Sequence, residues 1–143
     1  MIWFKNYTLS ELSKIVENTM VSHIGIEFIE INDNFLKAKM PVDKRTIQPA
    51  GILHGGASVA LAETIGSVAA YLTIDPEKYN CVGLEINANH IKSITTGFVF
   101  GIGKPIHLGR STQIWEIKIT NEVGKLIAIS RITLAVLSKS NKL

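Results

Sequence analysis

The sequence predicts an α+β domain in which an antiparallel sheet surrounds one long apolar helix. The segment HGGASVALAETIGSVAAYL (residues 54–72) is apolar or small at almost every position, so a helix over it must be buried on most sides. Two strand-like segments precede this helix and four follow it, an order typical of helix and antiparallel sheet packed in one unit. The chain has 143 residues, 46% of them hydrophobic and 19% charged, which fits one domain over residues 1–143.

Turn signals and periodicity define the other elements. The pattern TLSE at residues 8–11 is a capping box, which predicts a first helix from Leu9 to about Asn18. Strands are predicted over residues 23–31 and 35–42, which flank the hairpin signal NDN. After the long helix and the DPEKYN turn come four β-rich segments: CVGLEINANHI (81–91), GFVFGIGKPIH (97–107), STQIWEIKIT (111–120) and KLIAISRITLAVL (125–137). A tight turn at Asn121–Gly124 joins the last two.

Composition and charge exclude several classes of protein. The net charge is +3, and the sequence lacks the dense basic stripe with stacking aromatics that nucleic-acid binding needs. No signal peptide and no membrane-spanning segment are predicted. The single cysteine, Cys81, cannot form an internal disulfide, and together these features indicate a cytoplasmic location. The four histidines are scattered, without HExxH or CxxC spacing, so no metal site is predicted.

Glu63 is the only charged residue of the long helix. An unpaired carboxylate in apolar surroundings costs several kcal/mol or takes up a proton. With 3.6 residues per turn, Glu63 shares one face with the smallest residues of the helix: Gly56, Ala60, Ser67 and Ala70. Such a face allows close approach of a ligand or of another backbone. Glu63 is therefore either one partner of a structural ion pair or a catalytic group.

The loop before the helix favours the catalytic interpretation. Gly55 and Gly56 leave backbone N–H groups unobstructed at a helix N-terminus, where four donors lack intrahelical partners. Together with the helix dipole, these donors can polarise a carbonyl or stabilise an oxyanion, and Gln48 and His54 flank them. Phosphate binding is the competing use of such a turn, but Ala57 stands where a P-loop needs lysine.

The joint pattern of Gln48, His54-Gly55-Gly56 and Glu63 resembles one known family. The segment QPAGILHGGASVALAETIGSVAAY is similar to the hotdog-fold acyl-CoA thioesterases of the phenylacetate-degradation type. The resemblance is nearest to the branch that hydrolyses 1,4-dihydroxy-2-naphthoyl-CoA in menaquinone synthesis and to its enterobactin-pathway proofreading relative. It covers nearly the whole chain, including MIW, MPVD, VGLEINANH, KPIHLG and SRITLAVL. It implies a hotdog fold, in which the sheet wraps around the central helix, and a hydrolase acting on acyl-CoA thioesters.

The resemblance also implies roles for individual residues. Glu63 corresponds to the family's nucleophile or general base, and Gly55 to the N–H that polarises the thioester carbonyl. Gln48 and His54 correspond to the flanking hydrogen-bonding residues, and Ser67 to the hydroxyl that holds the attacking water or the substrate. The residues implied to contact CoA form three groups: Gly83; His90, Ile91, Lys92 and Ser93; and His107, Leu108, Gly109, Arg110, Ser111 and Thr112. CoA would be part of the substrate, so no separate cofactor is expected.

Helix geometry bears on the number of chains in the site. Glu63 follows Gly55 by eight positions, which is about 12 Å along a helix with a rise of about 1.5 Å per residue. An attacking group must lie about 3 Å from the carbonyl carbon, so one chain does not easily bring both residues to one thioester. Two antiparallel helices would. The resemblance likewise implies a homodimer with composite active sites, assembled further into a dimer of dimers (a homotetramer).

Two alternatives come from other functional classes. The first is a hotdog dehydratase or hydratase acting on β-hydroxyacyl thioesters, which needs a histidine base such as His54. The second is a non-catalytic acyl-CoA-binding domain, which would gain nothing from a carboxylate at Glu63. The sequence leaves open the acyl group, the choice between CoA and an acyl or aryl carrier protein, and the choice between anhydride and general-base mechanisms.

Overall fold

The computed structural model describes residues 1–139 of the chain. Six antiparallel strands form one sheet, and a long helix packs against it. The elements in chain order are α1 (Leu9–Ile15), α2 (Met20–His23), β1 (Glu27–Ile31), β2 (Leu36–Pro41), α3 (Gly55–Leu72), β3 (Tyr79–His90), β4 (Phe98–Leu108), β5 (Thr112–Asn121) and β6 (Leu126–Ser138). The α+β class and the hotdog arrangement are confirmed. The last four residues of the expected domain, 140–143, lie outside the described part of the chain.

The strand order places the site-bearing segments. The sheet runs β1-β2-β4-β5-β6-β3, so β3 follows α3 in the chain but pairs only with β6, at the edge of the sheet. Helix α3 contacts every strand from β2 to β6 and buries Leu61, Ile65 and Leu72 completely. At Gly101 and Gly103 of β4 a Cβ atom would collide with the Ile65 side chain. Glycine there allows the helix to lie close against the sheet.

The N-terminal region differs from the prediction. Helix α1 ends at Ile15, because Asn18 adopts a left-handed conformation with φ 57°. Thr19 then caps a second short helix, α2 (Met20–His23), which the sequence analysis did not predict. The side-chain oxygen of Thr19 accepts the Val21 N–H at 3.2 Å. The predicted strand over residues 23–31 therefore shortens to β1.

The other predicted elements agree with the structure to within two residues at each end. The capping box of α1 is present, since Thr8 Oγ1 accepts the Glu11 N–H at 3.2 Å and Glu11 Oε2 accepts the Thr8 N–H at 2.7 Å. The tight turn before β6 is also present. Gly124 has φ 78°, and its N–H donates to the Asn121 carbonyl at 3.0 Å.

The predicted small-residue face of α3 is not equally open along its length. Gly56 is exposed and Ala60, Glu63 and Ser67 are half-buried, whereas Ala70 is completely buried. Ala70 lies at the end of the helix that the N-terminal segment joins, where the Phe4 N–H donates to the Leu72 carbonyl. The open part of the face therefore extends from Gly56 to Ser67 only. Within residues 1–139, no helix is both long and apolar enough to cross a membrane.

Candidate active site

The first turn of α3 leaves one backbone donor free. His54 is the N-cap, and its Nδ1 accepts the Gly56 N–H at 2.8 Å. The His54 carbonyl accepts the N–H groups of Ala57 and Ser58 at 2.9 and 3.2 Å. The four donors that a helix N-terminus exposes are here the N–H groups of residues 54–57. The His54 N–H donates to the Thr46 carbonyl at 2.9 Å, so only the Gly55 N–H has no partner among the described residues. Because it points out of a helix N-terminus, it is suited to a carbonyl oxygen or an oxyanion.

A cleft of about 250 Å³ opens at this donor. Gln48 lines it, and its Oε1 is tied back to the Ala50 N–H at 2.5 Å, which leaves the side-chain NH₂ available as a donor. The His90 imidazole lies across Gly55, with Nε2 2.8 Å from the position that a Cβ on Gly55 would take. The other predicted residues in the cleft are Ile91, Lys92 and Ser93. Ser58, which also lines it, was missed, although its spacing of three from Gly55 puts both residues on one helix face.

The catalytic carboxylate predicted in α3 is anchored at one oxygen. Glu63 Oε1 accepts the Ser67 hydroxyl at 2.8 Å, an i, i+4 contact within the helix. Gly83 of β3 lies directly against the same oxygen. No lysine, arginine or histidine in residues 1–139 pairs with Glu63, so the structural ion pair considered above is not formed within this chain. The second oxygen, Oε2, bonds to no described residue.

The third group of predicted CoA contacts lies elsewhere. Leu108, Gly109 and Arg110 line a separate cleft of about 350 Å³ beside Thr73, at the C-terminal end of α3. The His107 imidazole packs against Gly109. Ser111 and Thr112 use their carbonyls in the backbone, accepting the N–H groups of Val136 and Gly109. The chain therefore brings Gln48, Gly55 and residues 90–93 together, but it holds residues 107–112 at the opposite end of the helix.

Two further features of the described residues bear on chemistry. A second cleft of about 250 Å³ borders the open face of α3 and is lined by Gly56 and Ala60 together with Met20, Ile24 and Ile47. Met20 and Ile24 were not predicted to lie here, because α2 was not predicted, and the loop residue Ile47 was not assigned to a site. Cys81 of β3 is an alternative nucleophile by residue type, but burial raises the pKa of its thiol to about 11. A thiol with that pKa is protonated near neutral pH and is a poor nucleophile.

Sequence comparison identifies proteins similar to this chain. The model of the Thioesterase superfamily matches residues 50–128, a segment that holds both Gly55 and Glu63. A 1,4-dihydroxy-2-naphthoyl-CoA hydrolase of Escherichia coli is 53% identical over 137 residues, which cover 96% of this chain and 100% of that protein. A proofreading thioesterase of Cronobacter turicensis is 48% identical over 137 residues, covering 96% of this chain and 99% of the other.

Structure comparison gives the same result. A crystal structure of a thioesterase mutant from Pseudomonas aeruginosa superposes with a TM-score of 0.95 at 44% identity, covering 96% of this chain and 99% of that one. A thioesterase from Haemophilus influenzae superposes with a TM-score of 0.94 at 48% identity, covering 96% of each chain. Fold and sequence therefore agree over nearly the whole length.

Proposed function

Because this chain belongs to the Thioesterase superfamily and is a thioester hydrolase, we propose that its substrate is the CoA thioester of an aromatic acid. The observation that carries the proposal is that one helix presents two reactive groups. These are the Gly55 N–H, which is free among the described residues, and the Glu63 carboxylate, which accepts a hydrogen bond from Ser67. The similar Escherichia coli protein is named a 1,4-dihydroxy-2-naphthoyl-CoA hydrolase. If the substrate is 1,4-dihydroxy-2-naphthoyl-CoA itself, the reaction belongs to menaquinone biosynthesis.

In the proposed mechanism the thioester carbonyl oxygen accepts the Gly55 N–H. The Gln48 NH₂, whose amide is oriented by the Ala50 N–H, is a second donor in the same cleft. Both donors strengthen their hydrogen bonds as negative charge develops on the oxygen, and a donor of this kind contributes about 10²–10³ in rate. His54 accepts the Gly56 N–H at Nδ1 and lines the separate cleft beside Gly56 and Ala60, so its role in this mechanism is to cap the helix that presents the Gly55 N–H.

Glu63 supplies the attacking group through Oε2. As a general base, Oε2 takes a proton from water while the water oxygen bonds to the carbonyl carbon. The tetrahedral intermediate then collapses, the C–S bond breaks and its electron pair leaves with sulfur as thiolate. In the anhydride alternative Oε2 itself bonds to the carbonyl carbon, the C–S bond breaks and thiolate leaves. Water then hydrolyses the anhydride to the free acid and the Glu63 carboxylate. Thiolate is a good leaving group, so neither route needs a strong general acid.

We infer that the two halves of the site come from two copies of the chain. Gly55 and Glu63 belong to one continuous helix and lie about 12 Å apart along it. If α3 of a second copy runs antiparallel, with its Glu63 beside Gly55, the partner's Thr73 end would lie about 15 Å beyond Gly55. The cleft at Lys92 and the partner's cleft at Arg110 would then border one extended ligand. Neither cation pairs with a carboxylate of residues 1–139, and both suit the phosphates of CoA.

The edge strand β3 supports pairing with a second copy. It has 12 residues and exposes apolar side chains, with Val82 43% and Leu84 61% accessible. A long apolar edge is a template for strand addition. The opposite edge, β1, has 5 residues and a salt bridge from Glu27 to Lys39, features that protect an edge from pairing. We therefore propose a homodimer joined along β3, with association of two dimers as a further step.

The cleft beside Gly56 and Ala60 supports an aromatic acyl group. It combines small residues of α3 with apolar walls from Ile24 and Ile47 and has a volume of about 250 Å³, and clefts lined mainly by apolar residues bind apolar ligand groups. The dehydratase alternative is disfavoured, because Nδ1 of His54 is occupied as an acceptor. An aryl carrier-protein thioester stays a second candidate substrate, since the similar Cronobacter protein is named a proofreading thioesterase. The cytoplasmic location stays a prediction.

Thiol release from a panel of thioesters tests the proposal. The panel contains 1,4-dihydroxy-2-naphthoyl-CoA, benzoyl-CoA, palmitoyl-CoA and a benzoyl aryl carrier protein. We expect kcat/KM to be highest for the two aroyl-CoA substrates. A clear preference for palmitoyl-CoA would refute the aromatic assignment, and a preference for the carrier protein would refute CoA as the carrier.

A further inference from the structure

Strand β3 passes the candidate catalytic carboxylate at its only glycine. A Cβ built on Gly83 would lie 3.1 Å from Glu63 Oε1, closer than ordinary van der Waals contact between carbon and oxygen. The strand carries a β-bulge at the same place, where the register against β6 shifts between Gly83 and Glu85. Bulges re-aim a strand locally. The backbone of β3 therefore runs beside this oxygen and leaves no room for a side chain at this position without a small shift.

We propose that Gly83 is a positioning residue for Glu63. This inference rests on the proposed catalytic role of that carboxylate. Oε1 accepts the Ser67 hydroxyl at 2.8 Å, and on its other flank it faces the place that a side chain on Gly83 would take. With Oε1 placed in this way, Oε2 is the reacting oxygen. The family resemblance implied only a CoA contact for this glycine, whereas its neighbour in the structure is the carboxylate.

A side chain at Gly83 would displace the carboxylate rather than the strand. Gly83 is not among the glycines with positive φ, which are Gly25, Gly51, Gly97 and Gly124. Alanine fits its backbone conformation without strain, and it reduces the conformational freedom of the unfolded chain. The contact that must yield is the one with Oε1, by a few tenths of an ångström. A shift of this kind moves Oε2 and weakens the Ser67 bond without opening the core.

The test compares Gly83→Ala and Gly83→Val with wild type on two substrates, benzoyl-CoA and the benzoyl thioester of N-acetylcysteamine. The second lacks the nucleotide and most of the pantetheine arm. We expect kcat to fall about 10-fold for alanine and about 100-fold for valine, as misplacement of a reacting group by up to about 1 Å does. KM should stay within about twofold, and the loss should be equal on both substrates. The melting temperature of Gly83→Ala should not fall.

A double-variant cycle with Gly83→Ala and Ser67→Ala tests whether Gly83 acts through the hydrogen bond between Ser67 and Glu63. If Gly83→Ala acts by pushing Oε1 out of the Ser67 bond, it should cost little further activity in a Ser67→Ala background, where that bond is already absent. Losses that multiply independently would contradict the proposal. An increase in KM with benzoyl-CoA alone, at unchanged kcat, would show a CoA contact instead. A lowered melting temperature in step with lost activity would show a structural role.

Failure of this inference is distinguishable from failure of the proposed function. If wild type releases thiol and Glu63→Gln does not, while Gly83→Ala keeps its kcat, only the positioning role is wrong. If Glu63→Gln keeps its activity, the catalytic role of the carboxylate is wrong, and the positioning role with it.

Discussion

The first turn and the middle of α3 carry different halves of the proposed chemistry and are built in different ways. At the first turn the Thr46 carbonyl and two acceptors of His54 satisfy three of the exposed helix donors, and the Gly55 N–H has no partner among residues 1–139. In the middle it ties one oxygen of Glu63 to Ser67 and leaves the other free. One half is a backbone donor fixed by a helix cap, and the other is a charged side chain fixed by its neighbours.

This difference shows what each half can do alone. A free N–H polarises a carbonyl but supplies no nucleophile, and a carboxylate supplies a base but no site for the oxyanion. Because both lie on one rigid helix about 12 Å apart, no side-chain rotation joins them. The comparison therefore predicts that damage to either half abolishes turnover for a different reason, and that a second chain completes the site.

The largest expected effect is that of Glu63→Gln. The substitution keeps the shape of the side chain and the acceptor for Ser67 but removes the charge, so thioester hydrolysis should fall by at least about 10³-fold with little change in stability. Steady-state thiol release and a thermal melt measure the two quantities. Retention of more than about a tenth of wild-type activity, a barrier change below ~1.4 kcal/mol, would show that Glu63 is not the base or nucleophile.

The next largest effect is the loss of activity when the Gly55 N–H is removed. A second variant distinguishes this loss from the effect of an added side chain. Gly55→Pro removes the donor, and proline is tolerated at the first position of a helix. Gly55→Ala is the matched control, because both variants displace the His90 imidazole but only alanine keeps the N–H. We expect kcat/KM of the proline variant to lie about 10²-fold below that of the alanine variant. Equal activities would show that the N–H does not contact the reacting carbonyl.

The smallest expected effect is a loss of stability when His54, the N-cap of α3, is replaced. His54→Ala leaves the Gly56 N–H without its acceptor and should lower the free energy of unfolding by about 1 kcal/mol, as loss of a helix cap does. His54→Asn, which can also cap a helix, should restore most of that stability. Urea denaturation measures both. If His54→Ala is as stable as wild type, the imidazole does not cap α3 in solution.

Sequence patterns predicted the parts of the site that are local in the chain. Helical spacing placed Glu63 and Ser67 on one face, although Ser67 was expected to hold the attacking water or the substrate and in the structure donates to the carboxylate. The free donor follows from glycine at a helix start. Contacts between distant segments were not predictable in this way. The approach of Gly83 to Glu63 depends on where β3 pairs with β6 and on its bulge. The short helix α2 was missed, because the left-handed conformation of Asn18 has only a weak sequence signal.

Mixing two inactive variants tests most directly whether the halves meet across two chains. Glu63→Gln and Gly55→Pro chains are co-expressed with different tags, and the hybrid dimers are purified by tandem affinity. Each hybrid contains one site with both defects and one with neither. Each purified hybrid should therefore recover about half of wild-type activity per dimer, while an unpurified equal mixture should recover about a quarter, since random pairing makes about half of the dimers hybrid. Hybrids verified by mass and by a cooperative melt that remain inactive would contradict a site shared between Gly55 of one chain and Glu63 of the other.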